Sequence, residues 1–456
     1  MRSTGYVCAF LLLCAAGCTT GDGSGKRENV AALVALDDTT ATASSSSYDP
    51  VKDFASAQID AGRKTFRFDT FGDETFWGDT LKLHQAIAGA ANGGVGGGVS
   101  PRTALAVGLK VDVDALPKSL RDALAAGKVN LDDPASTLAL LRVNSVIGVT
   151  GVFDSTGKLS SMGVQCALCH STVDNSFAPG IGHRVDGWAN RDLDVGTIVS
   201  LAPDLSVVAA LLGVDQATVR AVITQWGPGK FDAELFMDGK ALGADGKPHP
   251  TLIPPAYGLA GVSLGTWTGW GGVTHWNAFV ANLEMHGKGT FFDPRLDDAT
   301  RFPIAAALGF GHVFTPPDQD RITPKLAALQ IYQLALAPPV PPTGSFNATA
   351  AARGKALFVG KARCAGCHVP PLYTEPGFNM HTAAEIGVDD FQAARAPDQR
   401  FRTSPLRGVF AHAKGGYYHD GRYATLADVV AHYNATFTLG LTAGESSDLL
   451  EFLKSL

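Results

Sequence analysis

Apolar residues recur at helical spacing through much of the chain, and the alternating pattern of half-buried strands is rare. The stretch "AAARGKALFVGKARCAGCH" places Ala352, Ala356 and Leu357 on one apolar face, with Gly354 and Phe358 one turn apart. A glycine in such a helix has no side chain, so a second helix can cross it closely. The pattern therefore predicts a mainly α fold.

Two C-terminal stretches carry helix start signals. Thr425 is followed three residues later by Asp428 in "TLADVVAHY", and Thr442 by Glu445 in "TAGESSDLLEFLKSL". A hydroxyl followed at this distance by a carboxylate is the pattern of a capping box. We expect a helix to begin at each threonine.

Changes in composition divide the chain. Residues 19–50 are rich in Gly, Ser, Thr and Asp, which is typical of a tether. Four prolines in "LALAPPVPPTGSF" indicate a stiff linker, and glycine clusters such as "GAANGGVGGGVSP" indicate loops. We expect a signal peptide at 1–17, a tether at 18–50, a first domain at 51–337 enlarged by long loop-rich insertions, a linker at 338–346 and a second domain at 347–456.

The N-terminus indicates export. Arg2 precedes the apolar run Tyr6–Leu13, which is typical of a signal sequence and too short to span a membrane. The following "AAGC" resembles a bacterial lipobox, in which Cys18 would be lipidated, although Ala15 stands where Leu is commoner. Ordinary signal cleavage near the same place is the alternative. We expect a periplasmic protein or an outer-membrane-anchored lipoprotein.

Four of the seven cysteines form two Cys-x-x-Cys-His motifs. "CALCH" contains Cys166, Cys169 and His170, and "CAGCH" contains Cys364, Cys367 and His368. In this motif the two thiols add to the haem vinyl groups and the adjacent His ligates the iron. A zinc site needs four ligands and does not require His directly after the second Cys, and a redox dithiol does not need that His at all. The sequence therefore predicts two covalently bound c-type haems, one in each domain.

Several stretches resemble bacterial di-haem cytochrome c peroxidases and MauG-type enzymes. The most specific is "YYHDG…ATL" within "SPLRGVFAHAKGGYYHDGRYATLADVVAHYN", and "PGIGHRVDGW" resembles the peroxidase loop that carries a distal His. The spacing of the haem motifs, Trp276 and Phe291 further resembles the rubber oxygenases, a di-haem branch. The resemblance implies two cytochrome c-type haem domains.

The resemblance also implies roles for individual residues. His170 and His368 would be the proximal iron ligands. The position where the peroxidases place a Met is Tyr433, as in MauG-type enzymes, whereas rubber oxygenases use the His of "HDG", here His419. His419 and Tyr433 both remain candidates for the sixth ligand of the second iron.

For the first haem, the resemblance implies that His183 is a displaceable distal ligand, that Trp276 relays electrons between the haems and that Phe291 lines the distal pocket. The alternative for His183 is a hydrogen bond near the haem edge. The stretch "KGG" before "YYHDG" lacks the Thr and Pro that accompany calcium in the peroxidases, which argues against a calcium site.

Composition narrows the function. The formal net charge of −6 and the absence of a basic cluster argue against nucleic acid, and no later apolar run reaches membrane-spanning length, so any membrane contact is through a lipid anchor. Two function classes remain. The first is an oxidoreductase in which one haem activates peroxide or O2, using a redox donor protein or an organic substrate, while the other relays electrons. The second is an electron-transfer di-haem cytochrome c. The large first domain favours the enzyme.

We predict that replacing Cys166 and Cys169 by Ala leaves one covalent haem per chain, because the second motif is independent of the first. Haem staining of the denatured protein on a gel, with quantification per chain, measures the result. Loss of no haem, or of both, would contradict the two-site prediction.

Overall fold

The computed structural model describes residues 49–456, of which Val51–Leu456 form one compact unit. The signal peptide, Cys18 and nearly all of the tether lie outside the described residues. Within the described part of the chain no single helix has the length and apolar composition of a membrane span; one helix pair reaches that composition only jointly, across an 87° bend.

Short helices account for most of the regular structure, which confirms the predicted mainly α fold. The α-helices are α1 (Pro50–Phe68), α2 (Leu83–Ala88), α3 (Pro101–Ala106), α4 (Lys118–Ala125), α5 (Pro134–Arg142), α6 (Ala167–His170), α7 (Val195–Ser200), α8 (Ser206–Leu212), α9 (Gln216–Ile223), α10 (Leu235–Asp238), α11 (Val273–Phe279), α12 (Pro303–Leu308), α13 (Leu326–Ala335), α14 (Ala348–Val359), α15 (Ala383–Ile386), α16 (Phe391–Ala394), α17 (Leu426–Thr436) and α18 (Ala443–Lys454). Two π-helical turns, Thr75–Thr80 and Val280–Glu284, extend this set.

The strands form small two-stranded sheets. β1 (Val111–Asp112) runs parallel to β5 (Ile181–Gly182). The antiparallel pairs are β2 (Val149–Phe153) with β3 (Leu159–Val164), β4 (Ser171–Val173) with β6 (Arg184–Asp186), β7 (Lys230–Phe231) with β8 (Thr251–Leu252), and β9 (Phe291–Phe292) with β10 (His312–Val313). Each sheet fixes a loop of the larger N-terminal part rather than forming a layer of its own.

The core consists of separate hydrophobic clusters. The largest gathers buried residues between Phe66 and Tyr332, and another gathers buried residues between Phe358 and Leu453. Residues 336–347, all described, contain no helix or strand between α13 and α14. The Pro-rich segment lies here, and the domain division at 338–346 stays a prediction.

Helices α14 and α18 cross closely at Gly354, where an added Cβ would meet the Asp448 carbonyl oxygen at 2.0 Å. Phe358 packs edge-on against Phe452 at 5.1 Å between ring centroids. The expected apolar face was wrong in part, because Ala352 and Ala356 are exposed. Alanine periodicity does not distinguish two faces of a helix, whereas the larger ring of Phe358 gains more from burial.

Both predicted capping boxes are present. The Thr425 hydroxyl accepts from the Asp428 amide while the Asp428 carboxylate accepts from the Thr425 amide, and Thr442 and Glu445 make the same exchange. Reciprocal capping satisfies amides that have no partner within the first helical turn. It fixes the start of α17, the helix that contains Tyr433.

Candidate functional site: two cysteine–histidine cavities

The first motif lies at the edge of a cavity of about 320 Å³, here called the first cavity, which Cys166, Cys169 and His170 line. Cys166 precedes the short helix α6, so that one turn brings both sulfurs and the imidazole to the same wall. Burial raises the pKa of each thiol to about 12. Both sulfurs are therefore uncharged at neutral pH, as they would be in thioethers.

The His170 ring is fixed by a backbone contact. Its Nδ1 lies 3.1 Å from the carbonyl oxygen of Pro254. A carbonyl oxygen accepts only, so Nδ1 carries the proton and Nε2 keeps its lone pair. Burial lowers the pKa of His170 to about 4, which keeps the ring neutral. A neutral ring with a free Nε2 is the form that ligates iron.

The second motif repeats this arrangement in a cavity of about 460 Å³, the second cavity, which Cys364, Cys367 and His368 line. The Nδ1 of His368 lies 3.1 Å from the carbonyl oxygen of Tyr373, and burial lowers the pKa of this His too. Burial raises the pKa of Cys364 to about 11. None of the four motif cysteines is in a disulfide.

Two arginines with unsatisfied guanidinium atoms test whether a haem fits the cavities. Arg402 lines both cavities and Arg191 lines the second, and each has a buried Nη1 that makes no hydrogen bond within the described chain. Burial lowers the pKa of each guanidinium to about 10. A buried cation is costly unless an anion faces it. The propionate groups of a haem are such anions. The arginines that line each cavity therefore fit a bound haem.

The two halves of the chain each contribute to the other's cavity. Arg191, from the N-terminal half, lines the second cavity, and Gln392 and Arg402, from the C-terminal half, line the first. Trp267 lines both, and its Nε1 donates to the Leu252 carbonyl at 2.7 Å. The indole of Trp267 is therefore held in the wall that the two cavities share.

His183 lies away from the first cavity. It sits between β5 and β6 with its side chain 58% exposed, and its Nδ1 is 2.9 Å from the Asp114 carboxylate. This hydrogen bond raises the pKa of His183. The structure does not bring His183 to the residues that line the cavity.

Trp276 lines the first cavity, whereas Phe291 does not. The Trp276 ring stacks on Trp270, with centroids 5.2 Å apart and an interplanar angle of 19°. Phe291 is buried in the same aromatic cluster, 5.7 Å from Phe279. Phe291 therefore packs against the aromatic cluster that contains Trp276 and does not line the cavity itself.

His419 and Tyr433 both line the second cavity with His368. The buried His419 ring stacks on Phe401 at 4.7 Å, with its Nε2 3.7 Å from the Asp389 carboxylate. Tyr433 stacks on Phe437 at 5.5 Å, and burial raises the pKa of its phenol. The structure brings both candidate ligands to the cavity that the sequence assigned to them.

Two acids that line the first cavity, the half-buried Glu284 and the buried Glu234, escaped the sequence analysis. Glu284 ends the π-helical turn after α11, and Glu234 directly precedes α10. Both line the cavity, and burial raises their pKa to about 8 and about 7 respectively. The available signal was an acidic residue within the apolar stretch "FVANLEM". A protonated carboxylic acid beside a cavity is a proton donor.

Comparison with known proteins gives two sequence relatives, and no family model matches the chain. The methylamine utilization protein MauG of Methylorubrum extorquens is 25% identical over 248 residues, which cover 48% of this chain and 67% of MauG. The cytochrome-c peroxidase IdrP1 of Denitromonas iodatirespirans is 27% identical over 302 residues, which cover 49% of this chain and 79% of IdrP1.

Solved structures align over similar lengths but with low scores. The diheme peroxidase BthA of Burkholderia thailandensis has a TM-score of 0.28 at 18% identity, over 46% of this chain and 67% of BthA. The hydrazine synthase of Kuenenia stuttgartiensis has a TM-score of 0.27 at 22% identity, over 47% of this chain and 75% of that chain. Scores this low do not define a shared overall fold.

We predict that one of the variants His419→Gly and Tyr433→Phe abolishes the low-spin absorption spectrum of the second haem, because the side chain removed is the sixth ligand. The other variant should keep that spectrum. Electron paramagnetic resonance of the resting protein identifies the spin state. A low-spin second haem in both variants would exclude both residues as ligands.

Proposed function

Because this chain is related to the di-haem cytochrome c peroxidase and MauG-type superfamily, as its motifs predicted, we propose that it is an exported di-haem c-type oxidoreductase. One haem would react with peroxide or O2, and the other would relay electrons to it. The observation that carries this proposal is the pair of buried Cys-x-x-Cys-His cavities with Trp267 in the wall of both.

Each cavity offers the groups that a c-type haem needs. The two sulfurs would link to the vinyl groups, and the Nε2 of His170 or His368 would ligate the iron. Arg402 and Arg191 would pair with propionates. The bound haems supply redox-active iron for chemistry with peroxide or O2.

We assign the reaction with peroxide or O2 to the haem of the first cavity. His170 is the only His among the described residues that line it, and no Tyr lines it. Its two methionines, Met162 and Met285, belong to the surrounding hydrophobic cluster. The second cavity is instead lined by several side chains that could ligate iron, among them His381, His412, His419 and Tyr433. The contrast supports an open iron in the first cavity and a six-coordinate iron in the second.

In this proposal Glu284 is the proton donor of the first cavity. Reduction of peroxide to two waters consumes two protons and two electrons. With its pKa raised to about 8 by burial, Glu284 is mostly protonated at pH 7 and can give a proton to the departing oxygen. His183 would not take this part, because it is exposed and paired with Asp114.

Trp267 is the proposed electron relay. It lines both cavities, whereas Trp276 lines only the first and is stacked on Trp270. The sequence assigned the relay to Trp276, and the geometry supports Trp267 in its place. The electrons would come from a redox donor protein or an organic substrate.

Export completes the proposal. Its support is the sequence of residues 1–18 alone, with Arg2, the apolar run and the cysteine of "AAGC". A periplasmic site, with or without a lipid on Cys18, agrees with c-type haem attachment, which also takes place outside the cytoplasm.

We predict that Glu284→Gln lowers peroxide turnover by about 10²- to 10⁴-fold, because an amide cannot replace the acid as proton donor. Glu284 has a raised pKa, so the donor form is present below about pH 8 and the wild-type rate should fall as the pH rises through that value. Stopped-flow kinetics across this range measures both effects.

The control for Glu284→Gln is Asp318→Asn, which changes an exposed acid. It should keep the wild-type rate and pH profile. An unchanged rate in Glu284→Gln would contradict the role of Glu284. A wild type in which neither iron binds peroxide, O2 or cyanide, even when half reduced, would show an electron carrier instead of an enzyme.

We predict that Trp267→Phe slows electron transfer between the haems at least tenfold while both haem spectra stay unchanged. Phenylalanine keeps an aromatic ring but is much harder to oxidise than indole. The hydrogen bond lost to Leu252 contributes only about 1 kcal/mol to stability.

The matched control is Trp276→Phe, which should leave the rate of electron transfer between the haems within twofold of the wild type. Flash-induced reduction of one haem followed optically measures the rate, and the reverse order of effects would restore Trp276 as the relay.

A further inference from the structure

Arg395 brings a positive charge from the C-terminal half into an acidic segment beside the first cavity. Its Nε lies 2.8 Å from one Asp238 oxygen, and its Nη2 lies 3.1 Å from the other. Its Nη1 and Nη2 lie 3.1 and 3.0 Å from the two oxygens of Asp232. All three side chains are at most 2% exposed. The guanidinium therefore donates three hydrogen bonds to the two aspartates, and the Nη2–Asp232 distance adds a further ionic contact.

Glu234 lies between these aspartates in the chain and takes no part in their ion pairs. Within residues 49–456 no ion pair is formed by its carboxyl group, which is buried. A buried carboxyl without an ion pair is stable as the neutral acid, since the charged form would lose its hydration without compensation. Burial is the main cause of the raised pKa of Glu234; the charge of Arg395 favours its ionisation, whereas the charges of Asp232 and Asp238 oppose it.

Glu234 also faces the reaction site. It lines the first cavity with Glu284, and its charge is close enough to raise the pKa of Glu284. The charged and titratable groups that surround Glu234 are Asp232, Asp238, Arg395 and Glu284, and Arg402 and His170 line the same cavity. Two acids at one cavity can exchange a proton, whereas a single acid needs an outside source after each transfer.

We propose that Glu234 is a second proton-holding residue of the first cavity, which reprotonates Glu284, and that Arg395 is the positioning residue whose ion pairs with Asp232 and Asp238 leave Glu234 without an ion-pair partner. This inference rests on the proposed function. In the step, the O–H bond of Glu234 breaks and a new O–H bond forms on the Glu284 carboxylate. The charge of Arg395 stabilises the carboxylate left on Glu234 until solvent returns the proton.

The test uses infrared spectroscopy of the holoprotein, because the carbonyl stretch of a protonated carboxylic acid is separate from carboxylate bands. At pH 6, Glu234→Gln should remove one such band and Glu284→Gln a different one. Glutamine has the size and the neutral charge of the protonated acid, so the fold is retained. Buried Asp73, whose pKa burial raises to about 9, provides a reference band that neither variant changes.

Asp238→Asn tests the role of the Arg395 cluster. Loss of this negative charge lowers the pKa of Glu234, so its infrared band should titrate at lower pH than in the wild type. In kinetics, Glu234→Gln should slow peroxide turnover by roughly tenfold while cyanide still reaches the first iron. A purely structural Glu234 would leave that rate unchanged, because the amide imitates the neutral acid.

The outcomes separate this inference from the proposed function. If Glu234→Gln removes no carboxylic acid band, or if Asp238→Asn leaves the titration of that band in place, the inference is wrong whatever the activity. If the bands behave as expected and the wild type does not turn over peroxide or O2, the inferred role of Glu234 as a proton-holding residue is supported and the proposed reaction is wrong.

Discussion

The hydrogen bond from a histidine Nδ1 to a backbone carbonyl is the interaction on which both cavities depend. Pro254 holds His170 and Tyr373 holds His368, each at 3.1 Å. Pro254 is 84 residues from His170, so the surrounding fold has to place its carbonyl, whereas Tyr373 is only five residues after His368 and is a local partner. Because the carbonyl fixes the tautomer, it also determines which ring nitrogen can reach a metal. A five-residue motif thus becomes a ligand site only inside this fold.

The two cavities are chemically distinct although their cysteine motifs repeat. Two glutamates, Glu234 and Glu284, line the first. The second is lined, beside its motif His368, by three further histidines and three tyrosines: His381, His412, His419, Tyr417, Tyr418 and Tyr433. Trp267 and Arg402 belong to both walls, so that the polar partners of one site are close to the other. The structure therefore combines an acidic environment suited to proton transfer with a neighbouring site rich in potential iron ligands.

Local signals were predictable from the sequence, and tertiary pairings were not. The two motifs and the capping boxes at Thr425 and Thr442 each depend on residues a few positions apart. Gly354 indicated that a helix could cross there, but the sequence did not name its partner, which is α18 at Asp448. The contact of His183 with Asp114 joins segments 69 residues apart, and no pattern around His183 indicates it. The choice between Trp267 and Trp276 likewise depends on which indole faces two cavities, because both lie in the same Trp-rich stretch.

Arg395 also ties the first cavity to the C-terminal half of the chain. It is 163 residues from Asp232 in the chain, and the neighbouring Gln392 and Arg402 supply part of the first cavity's wall. Residues on both sides of the Pro-rich segment are therefore needed to complete this one wall. A chain that ended at that segment would keep Cys166, Cys169 and His170 but would leave Asp232 and Asp238 without their arginine.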